Sequence, residues 1–204
     1  MKEDARLEEW LRGLVSTPGL TALTDLEEAR RVLLDEALAG RELVERGPLV
    51  DVGSGGGSPG IPLATALPEI QVVLLEANGK KCDFLRLHST AFANVSVVCA
   101  RAEEHGRGVG RDAYGTAVAR ALAPPAVALE WCLPLVAVGG RAVLYTGEPE
   151  PGLERVAVRL GGGRPRAQAV AGFERRHLVV VEKLEPTPDE FPRRPGVARK
   201  RPLA

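Results

Sequence analysis

The feature that most constrains this chain is a rhythm that begins at Pro48. Short apolar runs (Leu49 to Val52, Val72 to Leu75, Val95 to Cys99, Ala117 to Ala119, Ala142 to Tyr145) alternate with helix-length segments. Brief runs rich in valine, leucine and alanine, with little polar alternation, predict strands buried on both faces, as in a parallel sheet of βαβ units. Right-handed crossovers then place helices on both sides. After the fifth run the rhythm breaks. Gly161-Gly162-Gly163 precedes two strand-like stretches, Ala167 to Val170 and His177 to Val181, joined through Gly172. These predict an antiparallel pair. The expected fold class is α/β, a doubly wound seven-stranded sheet ending in an antiparallel hairpin, whereas a nicotinamide-binding Rossmann domain continues with a sixth parallel strand.

The flanks differ from this core. Leu7, Trp10, Leu11 and Leu14 recur at helical spacing before Pro18-Gly19, and Thr24 or Asp25 can cap a second helix, running to about Glu45, whose first turn holds Glu27 and Glu28. From Pro186 on, four prolines by position 195 and no periodicity predict an extended tail. The reading is a short N-terminal helical extension (1–46) packed on a core (47–184), with a basic extended tail (185–204). At 204 residues and 45% apolar content, one core is what the chain can bury.

Bulk properties mainly exclude. Twenty-seven basic residues balance 27 acidic ones, so attraction to a polyanion must come from where charges cluster. Cys82, Cys99 and Cys132 are odd in number and lie in apolar stretches, which reads as buried free thiols in a reducing compartment, with no disulfide frame and no metal site. No signal-peptide pattern and no membrane-length apolar run is present, so the expectation is a soluble cytoplasmic monomer.

The chemistry concentrates where the first run ends. Asp51-Val52-Gly53-Ser54-Gly55-Gly56-Gly57-Ser58-Pro59-Gly60 carries G-x-G-x-x-G between a predicted strand and a helix opened by Pro59 or Gly60. That motif alone serves dinucleotides and other nucleosides, since bare glycines let backbone approach a ligand. Asp51 discriminates: a carboxylate at the strand end would repel a diphosphate and suit the cationic amino group of S-adenosylmethionine. A nicotinamide oxidoreductase and a plain Gly-Pro turn are the alternatives. Glu76 ends the second run at a spacing suited to ribose hydroxyls, or is a solvated strand end. Arg101-Ala102-Glu103-Glu104 follows the third run, where an adenine amine would be met or a short helix capped. Arg120 ends the fourth run, facing the crevice where open sheets bind ligands, or ion-pairing with Asp112. Five parallel strands, a terminal hairpin and this loop together match the class I S-adenosylmethionine-dependent methyltransferase layout.

Read together, Leu20-Thr21-Ala22-Leu23, the loop from Asp51 to Pro62, Gly79-Lys80-Lys81 before Phe84-Leu85, Arg101 to Glu104, Ala119-Arg120-Ala121, Arg176 to Val180 and Phe191 to Gly196 resemble the bacterial RsmG (GidB) family. That family comprises small-subunit 16S rRNA guanine-N7 methyltransferases. The resemblance implies cofactor contacts from Gly53 and Ser58, from Glu76, Ala77 and Asn78, from Ala102 and Glu103, and from Arg120. Asp51, Gly55 and Gly57 join this set from the loop pattern. The chain departs from the family's usual residues at Gly19, Val32, Ser58 and Thr146; Val32 and Thr146 keep open a ribosome-associated protein that binds cofactor without transfer, and a small-molecule methyltransferase stays open because the core fold does not choose the acceptor.

Guanine N7 carries an in-plane lone pair, so its methylation needs alignment and no proton removal. His88, His105 and His177 have no partnered nucleophile and read as structural, and Arg120 reads as a positioning group. Small-subunit RNA is the expected partner. Arg193, Arg194, Arg199, Lys200 and Arg201, with no intervening acid, are the expected phosphate contacts, a solubilising run being the bland alternative.

Overall fold

The computed structural model describes residues 4–147 and 151–203. Helix α1 (Ala5–Ser16) starts at Asp4, whose side chain accepts from the Arg6 amide, and buries Leu7, Trp10, Leu11 and Leu14. Asp25 caps α2 (Leu26–Arg30), accepting from the Glu28 amide. The helix continues through a π-helical turn, Arg31–Asp35, into α3 (Glu36–Leu38). It stops there and does not reach Glu45. A Cβ on Gly40 would run into the Tyr145 hydroxyl, so glycine is what lets the chain pass this close to the sheet.

The core follows the sequence rhythm: β1 (Leu49–Val52), α4 (Gly60–Ala66), β2 (Val72–Glu76), α5 (Gly79–Ser89), β3 (Val95–Cys99), α6 (Ala102–Arg107), β4 (Tyr114–Arg120), α7 (Pro125–Cys132), β5 (Val136–Thr146), α8 (Leu153–Arg159), β6 (Arg166–Ala169) and β7 (His177–Glu182). The sheet order is β3-β2-β1-β4-β5-β7-β6. The first five strands are parallel; β7 runs antiparallel between β5 and β6. Strand order reverses at the β1/β4 boundary, which opens a crevice at the carboxyl ends. β1 is buried at every position, Leu49 in the apolar cluster that also holds side chains of α1, α4 and α5, and Val50 and Val52 in the one that holds those of α7 and α8.

Three further expectations are corrected. Cys82 and Cys99 are joined by a disulfide, and only Cys132 is free and buried. Strand register sets Cys99 opposite Glu76, while Cys82 in the first turn of α5 reaches back to the Glu76 carbonyl, so residues 17 apart in sequence meet. Second, the segment after Pro186 is not an extended tail. Phe191, Ala198 and Leu203 are buried, and Val197–Lys200 forms α9. Third, that fold-back occupies Arg193: it grips Glu130, which is fully buried on α7, through its backbone amide (3.1 Å) and Nε (2.8 Å). Arg193 is therefore a structural arginine and not a free phosphate contact.

Candidate active site

Three hollows converge at the carboxyl ends of β1, β2, β4 and β5, and all three are lined by Ala121, which holds a positive φ of 51° just after β4. The largest, a cleft of about 420 Å³, is lined by Gly53, Glu76, Ala77, Ala102, Glu103 and Leu122, with Lys81, Arg101 and Arg199 at its edges. A second hollow of about 220 Å³ lies over the loop, lined by Gly53, Gly55, Ser58, Lys81 and Arg120. The third, a recess of about 200 Å³, lies between Glu36, Arg120, Tyr145, Thr146 and Arg176.

The loop is held from beneath and from both sides. Gly53, at φ +70°, donates to the Leu75 carbonyl at 2.7 Å, and a Cβ there would meet Leu122 at 2.3 Å across the cleft. Gly56 lies against Leu14, and its carbonyl accepts from Trp10 Nε1 at 2.8 Å. Ser58 Oγ donates to the Leu33 carbonyl at 2.8 Å. The N-terminal extension thus clamps the loop: part of the glycine content serves close packing by α1 and not the approach of a ligand.

Glu76 organises the cleft. Its Oε1 accepts from the amides of Ala77 (2.9 Å) and Asn78 (2.8 Å), and its Oε2 from Gly55 (2.9 Å). A carboxylate offers about four acceptor positions, so one remains for a ligand donor. Glu103 accepts from the Gly196 amide at 3.0 Å, so the folded-back tail closes one end of the cleft, and Arg199 lies over the Trp131 ring and donates to the Leu122 carbonyl. Arg199 therefore faces the cleft, where the sequence reading had it reaching for phosphate. Arg194, Lys200 and Arg201 are exposed.

Asp51, Asn78 and Gly57 line none of the three hollows. Asp51 is buried beneath the loop, its Oδ2 accepting from the Gly60 amide at 2.9 Å and its Oδ1 without a partner. Burial raises its carboxyl to about 7, against the lowering pull of the Gly60 amide and Arg120. Asp51 anchors the turn into α4; the direct contact with a cationic ligand expected of it is not what its position offers. Asn78 caps α5, and Gly57 packs on Ile61 and Trp10.

Arg120 donates to the Val32 carbonyl at 3.1 Å and pairs at 3.9 Å with Glu36, not with Asp112, which pairs with Lys183. Its Nε is buried without a partner. Burial lowers the guanidinium below its ordinary range, while Glu36 and Asp51 oppose that shift. Glu36 escaped the sequence reading, because a glutamate in mid-helix looks like any solvated face; only packing by distant segments that carry Arg120, Tyr145 and Arg176 buries it. The histidines are structural: His105 meets the Tyr114 hydroxyl at 2.7 Å, His177 Nδ1 the Gly147 carbonyl at 2.9 Å, and His88 packs on Gly13 and Phe84. Among the described residues no cluster has the make-up of a metal site, and no helix is long and apolar enough to cross a membrane.

The residues present fit S-adenosylmethionine: bare backbone at Gly53 and Gly55, an acid with spare acceptor capacity at Glu76, and mixed acidic and basic walls that suit a zwitterion better than a diphosphate.

Comparison with known proteins agrees. The chain resembles in fold the S-adenosylmethionine-dependent methyltransferase SibL (TM-score 0.64, 15% identity, 86% of this chain and 62% of that one). It also resembles the T. thermophilus 16S rRNA methyltransferase RsmC solved with AdoMet and guanosine (TM-score 0.52, 20% identity, 76% and 40%). Ribosomal RNA small subunit methyltransferase G of Rubrobacter xylanophilus is 44% identical over 77% of this chain and 65% of its own length. The protein of the same name from Moorella thermoacetica is 38% identical over 90% and 82%. A model of the family described as rRNA small subunit methyltransferase G (GidB) matches residues 5–152, and the chain belongs to that family.

Proposed function

We propose that this protein transfers a methyl group from S-adenosylmethionine to N7 of a guanine in small-subunit (16S) ribosomal RNA. The observation that carries the reading is the meeting of three hollows at Ala121: a cleft with a ribose-competent Glu76, a loop hollow bordered by Gly53, Gly55 and Arg120, and a separate recess beside them. The nucleoside would lie in the cleft against Glu76, Ala77, Ala102 and Glu103, and the amino-acid end in the loop hollow. The cofactor supplies an electrophilic methyl on sulfur. This chain's residues bind, orient and exclude water, and none has to take a proton, because N7 attacks through its own lone pair. Arg120 orients and does not act as an acid. Guanine N7 faces the deep major groove of A-form RNA, so the target belongs in a loop or loosened segment. Arg194, Lys200 and Arg201 would contact phosphate.

The test is mass-spectrometric mapping of ribosomal RNA after incubating small subunits with labelled cofactor. One labelled guanine carrying methyl on N7 is expected. Label on another atom or another RNA, or cofactor binding with no transfer, would overturn the reading, the last in favour of a binding protein.

A further inference from the structure

We infer that Glu36 reads the acceptor base: its carboxylate receives the N1 and 2-amino hydrogens of guanine, and the arginines beside it donate to O6. This rests on the reading that the chain methylates guanine, and adds how the base is chosen.

Glu36 is 3% exposed, yet lines the recess that shares Ala121 and Leu122 with the main cleft. Burying a carboxylate is costly unless donors saturate it. Elsewhere this chain supplies them: buried Glu130 takes the Arg193 Nε at 2.8 Å and its amide at 3.1 Å, and buried Glu76 takes three amides. Glu36 has Arg120 at 3.9 Å and Arg176 at 3.6 Å, both beyond hydrogen-bond length. The hydroxyl of Tyr145 is spent on the Ala37 carbonyl at 2.6 Å. The recess therefore holds a charge-balanced acid whose acceptor positions are free, next to an arginine whose Nε is buried and unpartnered. A ligand completing this site must bring two adjacent donors for the acid and an acceptor for the cations. The Watson–Crick edge of guanine presents that set; adenine, with an acceptor at N1 and a donor at N6, does not. Product charge agrees, since a methylated N7 makes the ring cationic and a nearby carboxylate favours it.

The test compares small subunits reconstituted with guanosine or inosine at the target nucleotide; inosine keeps N7 and N1–H and lacks the 2-amino group. The wild type should favour guanosine by roughly tenfold in kcat/KM. Glu36→Gln, which replaces one acceptor with a donor, should bring that preference within about twofold, with cofactor Kd unchanged. Should the amide variant fail to fold, Glu36→Asp keeps the charge on a shorter arm and should lose rate on guanosine while keeping part of the preference. A purely structural Glu36 would lower both substrates equally, and an unchanged preference in Glu36→Gln, or a wild type indifferent to the 2-amino group, overturns the inference alone. No N7 methylation of guanosine by the wild type overturns it together with the reaction.

Discussion

The cleft under β2 and the recess beyond β4 each hold a buried glutamate, and the fold treats the two in opposite ways. Glu76 is held by three backbone amides, so it is fixed before any ligand arrives and keeps a single acceptor position for it. Glu36 is balanced by charge alone, with Arg120 and Arg176 standing off beyond hydrogen-bond distance. One acid builds a rigid cradle and the other keeps acceptor capacity for something transient, as a site needs when its cofactor is always the same and its base must be checked.

The sharpest way to break this contrast is to remove the partner of a saturated acid. Arg193→Ala strands Glu130 inside α7 and should cost roughly 3–5 kcal/mol, read as a fall in urea midpoint. Glu36→Gln loses no hydrogen bond, only the long pairs to Arg120 and Arg176, and should cost less, on the order of 1–2 kcal/mol. Equal losses would erase the distinction.

Asp51 gives the next largest effect. Its carboxyl rises from 3.8 to about 7 on folding, so the folded state holds the proton more tightly. That contribution is complete below pH 4 and is lost as pH rises through 7. Asp51→Asn, whose carbonyl can still accept from Gly60, should be more stable than the wild type at pH 8, by up to roughly 3–4 kcal/mol. The gap should narrow toward pH 5. A pH-independent difference between the two would show that Asp51 is not the titrating group.

Glu76→Gln leaves one loop amide facing an amino group. Cofactor affinity should fall roughly tenfold by calorimetry, with base preference untouched, the mirror image of Glu36→Gln. Smallest in stability is the surface change. Replacing Arg194, Lys200 and Arg201 by alanine should leave Tm within about a degree, while the salt slope of RNA binding drops by as much as roughly two to three. An unchanged slope would remove the tail's free cations from RNA contact.

Much of this was legible from pattern. The strand runs, the loop between Asp51 and Gly60, and the terminal hairpin follow from periods and turn residues that act within a few positions. The hollows contain Gly53, Gly55, Ser58, Glu76, Ala77, Ala102, Glu103 and Arg120, because strand ends in an open sheet converge whatever the sequence between them. Asp51 was singled out for its charge, but its side chain alternates to the face beneath the loop, and burial turns it into an anchor. The basic run near the C-terminus looked free because its partner lies on α7, 63 residues earlier.

By itself, the sequence determined the order of elements, the antiparallel end of the sheet and the place of the crevice at the strand ends, since each depends on local periodicity and turn chemistry. Only the tertiary structure decided which charges are spent and which are available. Glu130 with Arg193, Cys82 with Cys99, and Glu36 facing Arg120 are meetings of distant segments, fixed by how helices and strands pack and not by what stands next to them in the chain.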